Sequence, residues 1–326
     1  MRVPKATTTM ARKRKGAPVH GWVVLDKPVG VTSTESVAAV KRVFDAQKAG
    51  HAGTLDPLAS GVLAVALGEA TKTVSFAMDA EKVYRFTARW GESRDSDDAE
   101  GRVEGTSEAR PSKAEIEALL PRFSGEIAQV PPRFSAVKID GERAYDIARD
   151  GETPVLEPRM VLIHEVRLVG QPDQDRAEFE MRCGKGAYVR AWVRDFAIGL
   201  GTLGYVCELR RIAIGGFTLA DAIPLEKLKA FGHSPAAFEH LKPISTALDG
   251  IPALAVTGAD AVRLRCGNSI LMRAGLFARL KEETQADDDL QGLTVYLSSA
   301  AGEPVALAEL SRGELRPFRV FNFGTG

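Results

Sequence analysis

Gly50-His51-Ala52-Gly53-Thr54-Leu55-Asp56-Pro57-Leu58-Ala59-Ser60-Gly61 is the stretch that decides how this chain is read. It is too rich in glycine, proline and small polar residues for a helix or a plain strand. Glycines at 50, 53 and 61 permit backbone geometry that a β-carbon forbids. Pro57 pushes Asp56 toward an extended conformation and ends any helix there. Val62-Leu63-Ala64-Val65-Ala66-Leu67 follows at once and reads as a buried strand. Asp56 is therefore expected on a tight loop feeding a strand, a rigid mount for a reactive carboxylate. Taken alone, such an Asp-Pro is equally a turn residue that hydrogen-bonds its own backbone.

The 326 residues, 44% hydrophobic and 26% charged, suit a globular protein of one large and one small domain. Net charge is zero, so composition alone gives no hint of nucleic acid. Residues 1–20 nevertheless hold Arg2, Lys5, Arg12, Lys13, Arg14 and Lys15 and no acid, and read as a disordered basic arm. The arm is either an idle solvated tail or an added attraction for phosphates. Cys183, Cys207 and Cys266 form no C-x-x-C pair, so neither a zinc site nor a disulfide framework is indicated. Reduced thiols in a cytoplasmic setting are expected. No membrane span and no secretory leader is read, since no apolar run has the length and no apolar segment follows the basic residues.

Along the chain, Gly21–Leu25 reads as a first strand and 26–30 as a turn. Thr32-Ser33-Thr34-Glu35 is a capping box before a helix with Val37, Val40, Val43 and Phe44 on one stripe. In 82–90, Tyr84, Phe86, Ala88 and Trp90 alternate with Val83, Arg85, Thr87 and Arg89, which predicts a half-buried strand. The acidic stretch 93–101 lacks EF-hand spacing and reads as a structural turn. Ser112 to Glu115 is a second capping box. Residues 131–138 read as extended, 141–150 as a short helix bearing Tyr145, and 160–168 and 177–183 as strands. The next helix has Val189, Trp192, Val193, Phe196 and Leu200 as its buried stripe, with Arg190, Arg194 and Ala197 opposite. Arg190 in a first helical turn opposes the helix dipole, which suggests a compensating partner, though a solvated arginine is the plainer reading. From 251 onward, glycines punctuate short apolar runs, as in a small β-rich domain, with 281–290 a polar loop.

These motifs together resemble the TruB-type pseudouridine synthases. The 50–61 stretch fills every fixed position of that family's G-H-x-G-x-L-D-P-x-A-x-G. Leu25 to Ser33 matches L-x-K-P-x-G-x-[TS]-S, Gly68 to Lys72 matches G-E-A-T-K, and Lys82, Tyr84 and Phe86 match K-x-Y-x-F. Cys183 to Arg190 matches C-x-K-G-x-Y-[IV]-R, and Leu209-Arg210-Arg211 matches L-R-R. The 94–101 turn fits T-D-T-x-D-x-x-G only in part, because Arg94 and Asp97 depart from it.

The resemblance implies an α+β catalytic domain around a mainly antiparallel sheet over 21–250, and a PUA-like RNA-binding domain over 251–326. It implies Asp56 as nucleophile, Tyr84 stacked on the target base, and Arg190 paired with Asp56. His51 would fill the space a flipped base leaves; alternatively it is a loop histidine bonded to backbone. Leu209 would flank the base pocket, Tyr188, Arg210 and Arg211 would face RNA, and Lys27 would shape the floor of the site. Segment 131–138 and the Tyr145 helix would line the RNA-binding face. Tyr84, by pattern alone, is equally a core aromatic.

The activity implied is isomerisation of uridine 55 in the T arm of tRNA, by a stand-alone monomer without cofactor, metal or obligate protein partner. Two other readings remain: a guide-RNA-dependent relative, and a catalytically idle tRNA-binding or tRNA-folding module. Whether the carboxylate attacks C6 of the base or C1′ of the ribose stays open.

Overall fold

The computed structural model describes residues 16–139, 141–284 and 290–323. Its larger part contains β1 (Gly21–Lys27), α1 (Ser33–Val43), β2 (Ala49–Ala52), β3 (Ser60–Leu67), β4 (Lys82–Trp90), α2 (Lys113–Leu119), β5 (Gly125–Gln129), β6 (Arg159–Asp173), β7 (Arg176–Cys183), α3 (Val189–Gly199), β8 (Gly204–Ile214) and β9 (Ile223–Pro224). One sheet runs β9-β1-β3-β8-β4-β7-β6-β5, with β2 paired to β3. Its pairings are antiparallel except β1 with β9 and β3 with β8. The architecture is the mainly antiparallel α+β arrangement expected from the sequence.

Both capping boxes form. Thr32 and Ser112 each accept from the backbone of the glutamate three residues on, and Glu35 and Glu115 reach back. The period of two in β4 does what it predicts. Phe86, Ala88 and Trp90 are buried, Tyr84 packs partly buried beside them, and Arg85 and Arg89 face out. On that inner face Trp192 of α3 meets Phe86 and Phe179 of the sheet edge to face at 5.7 and 5.5 Å, and Phe196 meets Phe179 at 5.9 Å, which fixes α3 against the sheet. The opposite face, with Trp22, Val24, Val62 and Ala64, is covered in part by Tyr296, Leu307 and Phe321.

Tyr296 and Leu307 belong to a second sheet, and Phe321 directly follows its last strand. It comprises β10 (Ala253–Val256), α4 (Gly258–Arg265), β11 (Ile270–Leu271), α5 (Ala274–Thr284), β12 (Thr294–Ser299), β13 (Pro304–Ser311) and β14 (Glu314–Val320), in the order β10-β12-β13-β14-β11. The Gly68–Lys72 motif joins the two parts. Lys72 Nζ donates to the Val320 carbonyl at 2.7 Å, and the Asn322 N–H donates to Glu69 at 2.7 Å.

Several expectations are corrected. Gly50 and His51 lie in β2, because pairing with Val65 and Ala66 of β3 overrides their loop-like composition. Asp26 and Lys27 continue β1 and are not part of a turn. Lys281 to Thr284 are the last turn of α5, whose exposed face only resembles a polar loop; 285–289 lie outside the described residues. The arm expected over 1–20 is shorter: Ala17 bridges to Ala46 and Val19 is buried, while the basic residues at 2–15 lie outside the described residues. Helix 141–150 is reduced to Ala144–Arg149, with Tyr145 exposed.

Gly61 decides whether β3 and β8 can meet. Its φ is +99°, and a β-carbon there would stand 2.2 Å from the Arg211 carbonyl oxygen. Gly61→Ala is expected to lose at least about 2 kcal/mol of stability, from backbone strain and the clash together. A thermal melt close to wild type would contradict this account of the strand junction.

Candidate active site

Apart from the Ala59 N–H, which donates to the Asp56 carbonyl at 3.1 Å, the Asp56 loop is held from outside. Ser33, in the first turn of α1, accepts from the Leu55 N–H and donates to the Leu55 carbonyl, both at 2.9 Å. Lys27, fully buried at the end of β1, donates to the carbonyls of Val31 (2.6 Å), Pro28 (2.9 Å) and, more weakly, Pro57 (3.4 Å). The Gly30 N–H also reaches the Pro57 carbonyl at 2.8 Å. Asp56 is thus fixed between two anchored neighbours while 35% of its side chain stays open. Burial draws the Lys27 ammonium down to about 8, against the pull of Asp56 and Glu100.

Arg190 closes the inner side of the loop. It begins α3 and is only 4% exposed, so the solvated reading is excluded. Its Nη2 lies 2.9 Å from an Asp56 carboxylate oxygen and also donates to the Phe134 carbonyl at 2.8 Å. Nη1 donates to the Ser96 carbonyl at 2.8 Å, and Nε lies 3.6 Å from Asp98, itself buried. One turn on, Arg194 pairs with Asp97 at 2.9 Å and donates to the Val130 carbonyl. The two arginines, four residues apart on one helix face, therefore each grip an aspartate of the 97–98 doublet and a carbonyl of the 130–134 segment. Burial of this helix on both flanks corrects the expected division. Arg190 and Ala197 are as buried as the apolar stripe.

The 94–101 turn is more than a turn. The Val206 N–H donates to the Asp97 carbonyl and the Ala99 N–H to the Val206 carbonyl, so the turn pairs with β8 beyond the point where β3 leaves it. Asp98 occupies the second fixed aspartate of the partial T-D-T-x-D-x-x-G match, which was the one signal in the sequence for its role.

The remaining candidates are distributed around Asp56. Tyr84 sits on β4 in register with Arg211 of β8; burial raises its phenol pKa, opposed by the Arg211 guanidinium. His51 faces inward from β2, its imidazole pKa lowered by burial and then by Arg211. Leu209 and Leu58 line a cleft of about 520 Å³ with Val29, Phe86 and Arg210. Tyr188 caps the start of α3, its N–H and carbonyl both bonded to the buried Gln129 side chain. Arg210 makes a two-pronged pair with Asp26, at 2.8 and 3.0 Å. Arg211, expected to face RNA with it, points the other way and is wholly buried. Successive residues on a strand face opposite sides, so both arginines cannot share a surface.

Such a site can present a partly open, ion-paired carboxylate to an electrophile, with a phenol hydroxyl nearby and a dry inner wall. The paired acids also carry a stability signature. Burial pushes the Asp97 carboxyl from 3.8 up to about 6, against Arg194 and Arg190. The folded state therefore binds the extra proton between those values. That contribution is complete at the acid end and is lost as pH rises through the folded value. Asp97 has φ of +59°, which Asn tolerates, so Asp97→Asn is the matched control. Stability of wild type relative to Asp97→Asn is expected to fall between about pH 4 and 6.5, by at most about 3 kcal/mol. A flat or rising difference in melting temperature across that window contradicts the assignment.

Residues 41–189 match the TruB family pseudouridylate synthase N-terminal domain. The chain is 56% identical over 315 residues to tRNA pseudouridine synthase B of Bradyrhizobium diazoefficiens, covering 95% of this chain and 88% of that one. It is 52% identical over 313 residues to tRNA pseudouridine synthase B of Caulobacter vibrioides, covering 96% and 99%. Among solved structures, an archaeal box H/ACA Nop10–Cbf5 complex is similar at TM-score 0.69 and 21% identity, covering 98% and 96%. An H/ACA ribonucleoprotein bound to a substrate RNA containing 2′-deoxyuridine is similar at TM-score 0.70 and 20% identity, covering 97% and 92%. The structural likenesses speak to the fold; the sequence relatives, at this identity and coverage, decide the family. The chain belongs to the TruB family of pseudouridylate synthases.

Proposed function

We propose that this protein is a stand-alone tRNA pseudouridine synthase that isomerises uridine 55 in the T arm of tRNA, with Asp56 as its nucleophile. The observation that carries the reading is the 2.9 Å ion pair of Asp56 with the buried Arg190, on a loop that leaves the carboxylate accessible. The relatives named tRNA pseudouridine synthase B, at 46–56% identity, support tRNA as the substrate class.

The reaction detaches uracil at N1, turns it and rejoins it through C5. One carbon–nitrogen bond is exchanged for a carbon–carbon bond, C5 gives up a proton and N1 ends protonated. Oxidation state is unchanged, so no redox cofactor enters. The target base lies inside the folded tRNA and must be flipped out, at a cost of about a few kcal/mol. His51 fills the space it leaves. Attack at C6 of the base and attack at C1′ of the ribose both require a carboxylate aimed at the electrophile, and the Arg190 pair holds Asp56 in place for either. Tyr84 stacks on the uracil, and its hydroxyl moves the C5 proton. Arg210, Leu209 and Tyr188 contact the substrate, and Lys27 sets the loop beneath it. The PUA-like second sheet and the basic residues near the N-terminus add RNA contacts. The protein acts as a monomer in the cytoplasm, without protein partner or metal.

Purified protein incubated with unmodified tRNA transcript, without guide RNA, is expected to form pseudouridine at position 55. Absence of product without a guide would favour the guide-dependent relative, and binding without product the idle module. Arg190→Lys keeps the charge but loses the planar fork. It is expected to lose about 100-fold or more in kcat, with tRNA affinity changed only about threefold. Wild-type kinetics would remove Arg190 from the mechanism. Tyr84→Phe should keep tRNA affinity and lose most of the rate; Tyr84→Leu should be at least as slow and bind less well. Full turnover by the Phe variant would leave the ring a stacking platform only.

A further inference from the structure

We propose that Arg211 is a positioning residue of this site, setting the Tyr84 hydroxyl and the His51–Gly53 turn in one fixed relation. This inference rests on the pseudouridine synthase reading above.

Arg211 lies directly across the β4–β8 ladder from Tyr84 and is 1% exposed. Its Nε donates to the Val62 carbonyl at 2.8 Å and its Nη2 to the Gly53 carbonyl at 2.9 Å. Its Nη1 stands 3.1 Å from where a Gly53 β-carbon would be, so that glycine, at φ +71°, is shaped around the guanidinium. Tyr84 is the partner of Arg211 across the ladder, and the guanidinium opposes the rise in phenol pKa that burial causes. One planar cation therefore bonds β3 and the turn two residues before Asp56's immediate neighbour Leu55, directly across the ladder from the phenol.

Among the described residues, no carboxylate lies within ion-pair distance of Arg211, whereas Arg190, Arg194 and Arg210 each have one or more. A buried cation held only by carbonyls costs stability, and packing alone would favour an apolar side chain there. The unneutralised charge has a use beside a phenol that must exchange a proton: it favours the ionised oxygen and opposes the effect of burial. It also disfavours a second positive charge on His51, leaving that imidazole neutral and able to enter an apolar stack. Arg211 touches no reacting atom in this account; it acts through Tyr84 and the loop.

The test is a double-mutant cycle with Arg211→Lys and Tyr84→Phe, read in single-turnover pseudouridine formation on tRNA. Arg211→Lys is expected to slow the reaction by about 100-fold, with tRNA affinity within about threefold of wild type. Added to Tyr84→Phe it should slow that variant by less than about threefold, because both changes disable one hydroxyl. A substrate-free readout separates this from the functional reading. With ¹³Cζ-labelled tyrosine the chain has five tyrosine signals. The Tyr84 signal is identified by its loss in Tyr84→Phe. In Arg211→Lys that signal should move and titrate at higher pH while the other four stay. Failure of wild type to act on tRNA would overturn the functional reading; an unmoved Tyr84 signal, or rate losses that multiply in the cycle, would overturn the role of Arg211. Arg211→Gln, which keeps donors without charge, is the second variant, expected to fold and to move the Tyr84 signal further. If neither variant folds, the guanidinium serves the core alone and the proposal fails.

Discussion

Everything in this protein's site depends on one buried guanidinium. Arg190 offers five N–H donors in a rigid fork, and the structure gives it two carboxylates and two carbonyls from three separate segments. Those segments are the Asp56 loop, the 94–101 turn and the 130–136 stretch, none adjacent in sequence. A buried charge is tolerated only when so satisfied, and removal of one partner leaves the rest uncompensated, typically at about 3–5 kcal/mol. The same requirement that makes Arg190 costly to bury makes it define where the three segments meet. Arg194 repeats the arrangement one turn along α3 and keeps Asp97 and Val130 in step.

The Asp56 loop is correspondingly passive. Its composition gives it freedom, and its neighbours remove that freedom: Ser33 at Leu55, Lys27 and Gly30 at Pro57, Arg211 at Gly53. Except for Gly30, in the turn between β1 and α1, each anchor comes from a regular element or its end, so the loop inherits the precision of the sheet and helix beneath it. Two of the anchors are basic side chains sunk entirely in the protein. Around the Asp56 carboxylate, this builds a positive inner wall from buried residues.

Much of this was legible in the chain, and the reason lies in range. Capping boxes, the period of two in Lys82–Trp90 and the Gly-rich stretch before Asp56 are local patterns, and all the regular elements they foretold are present. The fixed positions of the family motifs brought Asp56, Tyr84 and Arg190 forward as one set. What sequence could not give is which distant side chains meet, so Asp97 and Asp98 read as an acidic turn and Arg194 only as part of the helix side opposite the apolar stripe. Gly50 and His51 became strand because β3 offered a partner, a tertiary effect on residues of poor β propensity. Arg211 is different, since strand alternation alone, a constraint already present in the sequence, forbids it from facing outward with Arg210.

The central claim is that the ion-paired Asp56 carboxylate is the group that attacks. Asp56→Asn keeps the shape and the hydrogen bonds to Arg190 while removing the nucleophile. The direct measurement is single-turnover pseudouridine formation by this variant, with enzyme in excess over unmodified tRNA whose binding is measured in the same preparation. The account predicts tRNA bound with near wild-type affinity and no product on any accessible timescale; pseudouridine appearing at position 55 from the bound variant would contradict it.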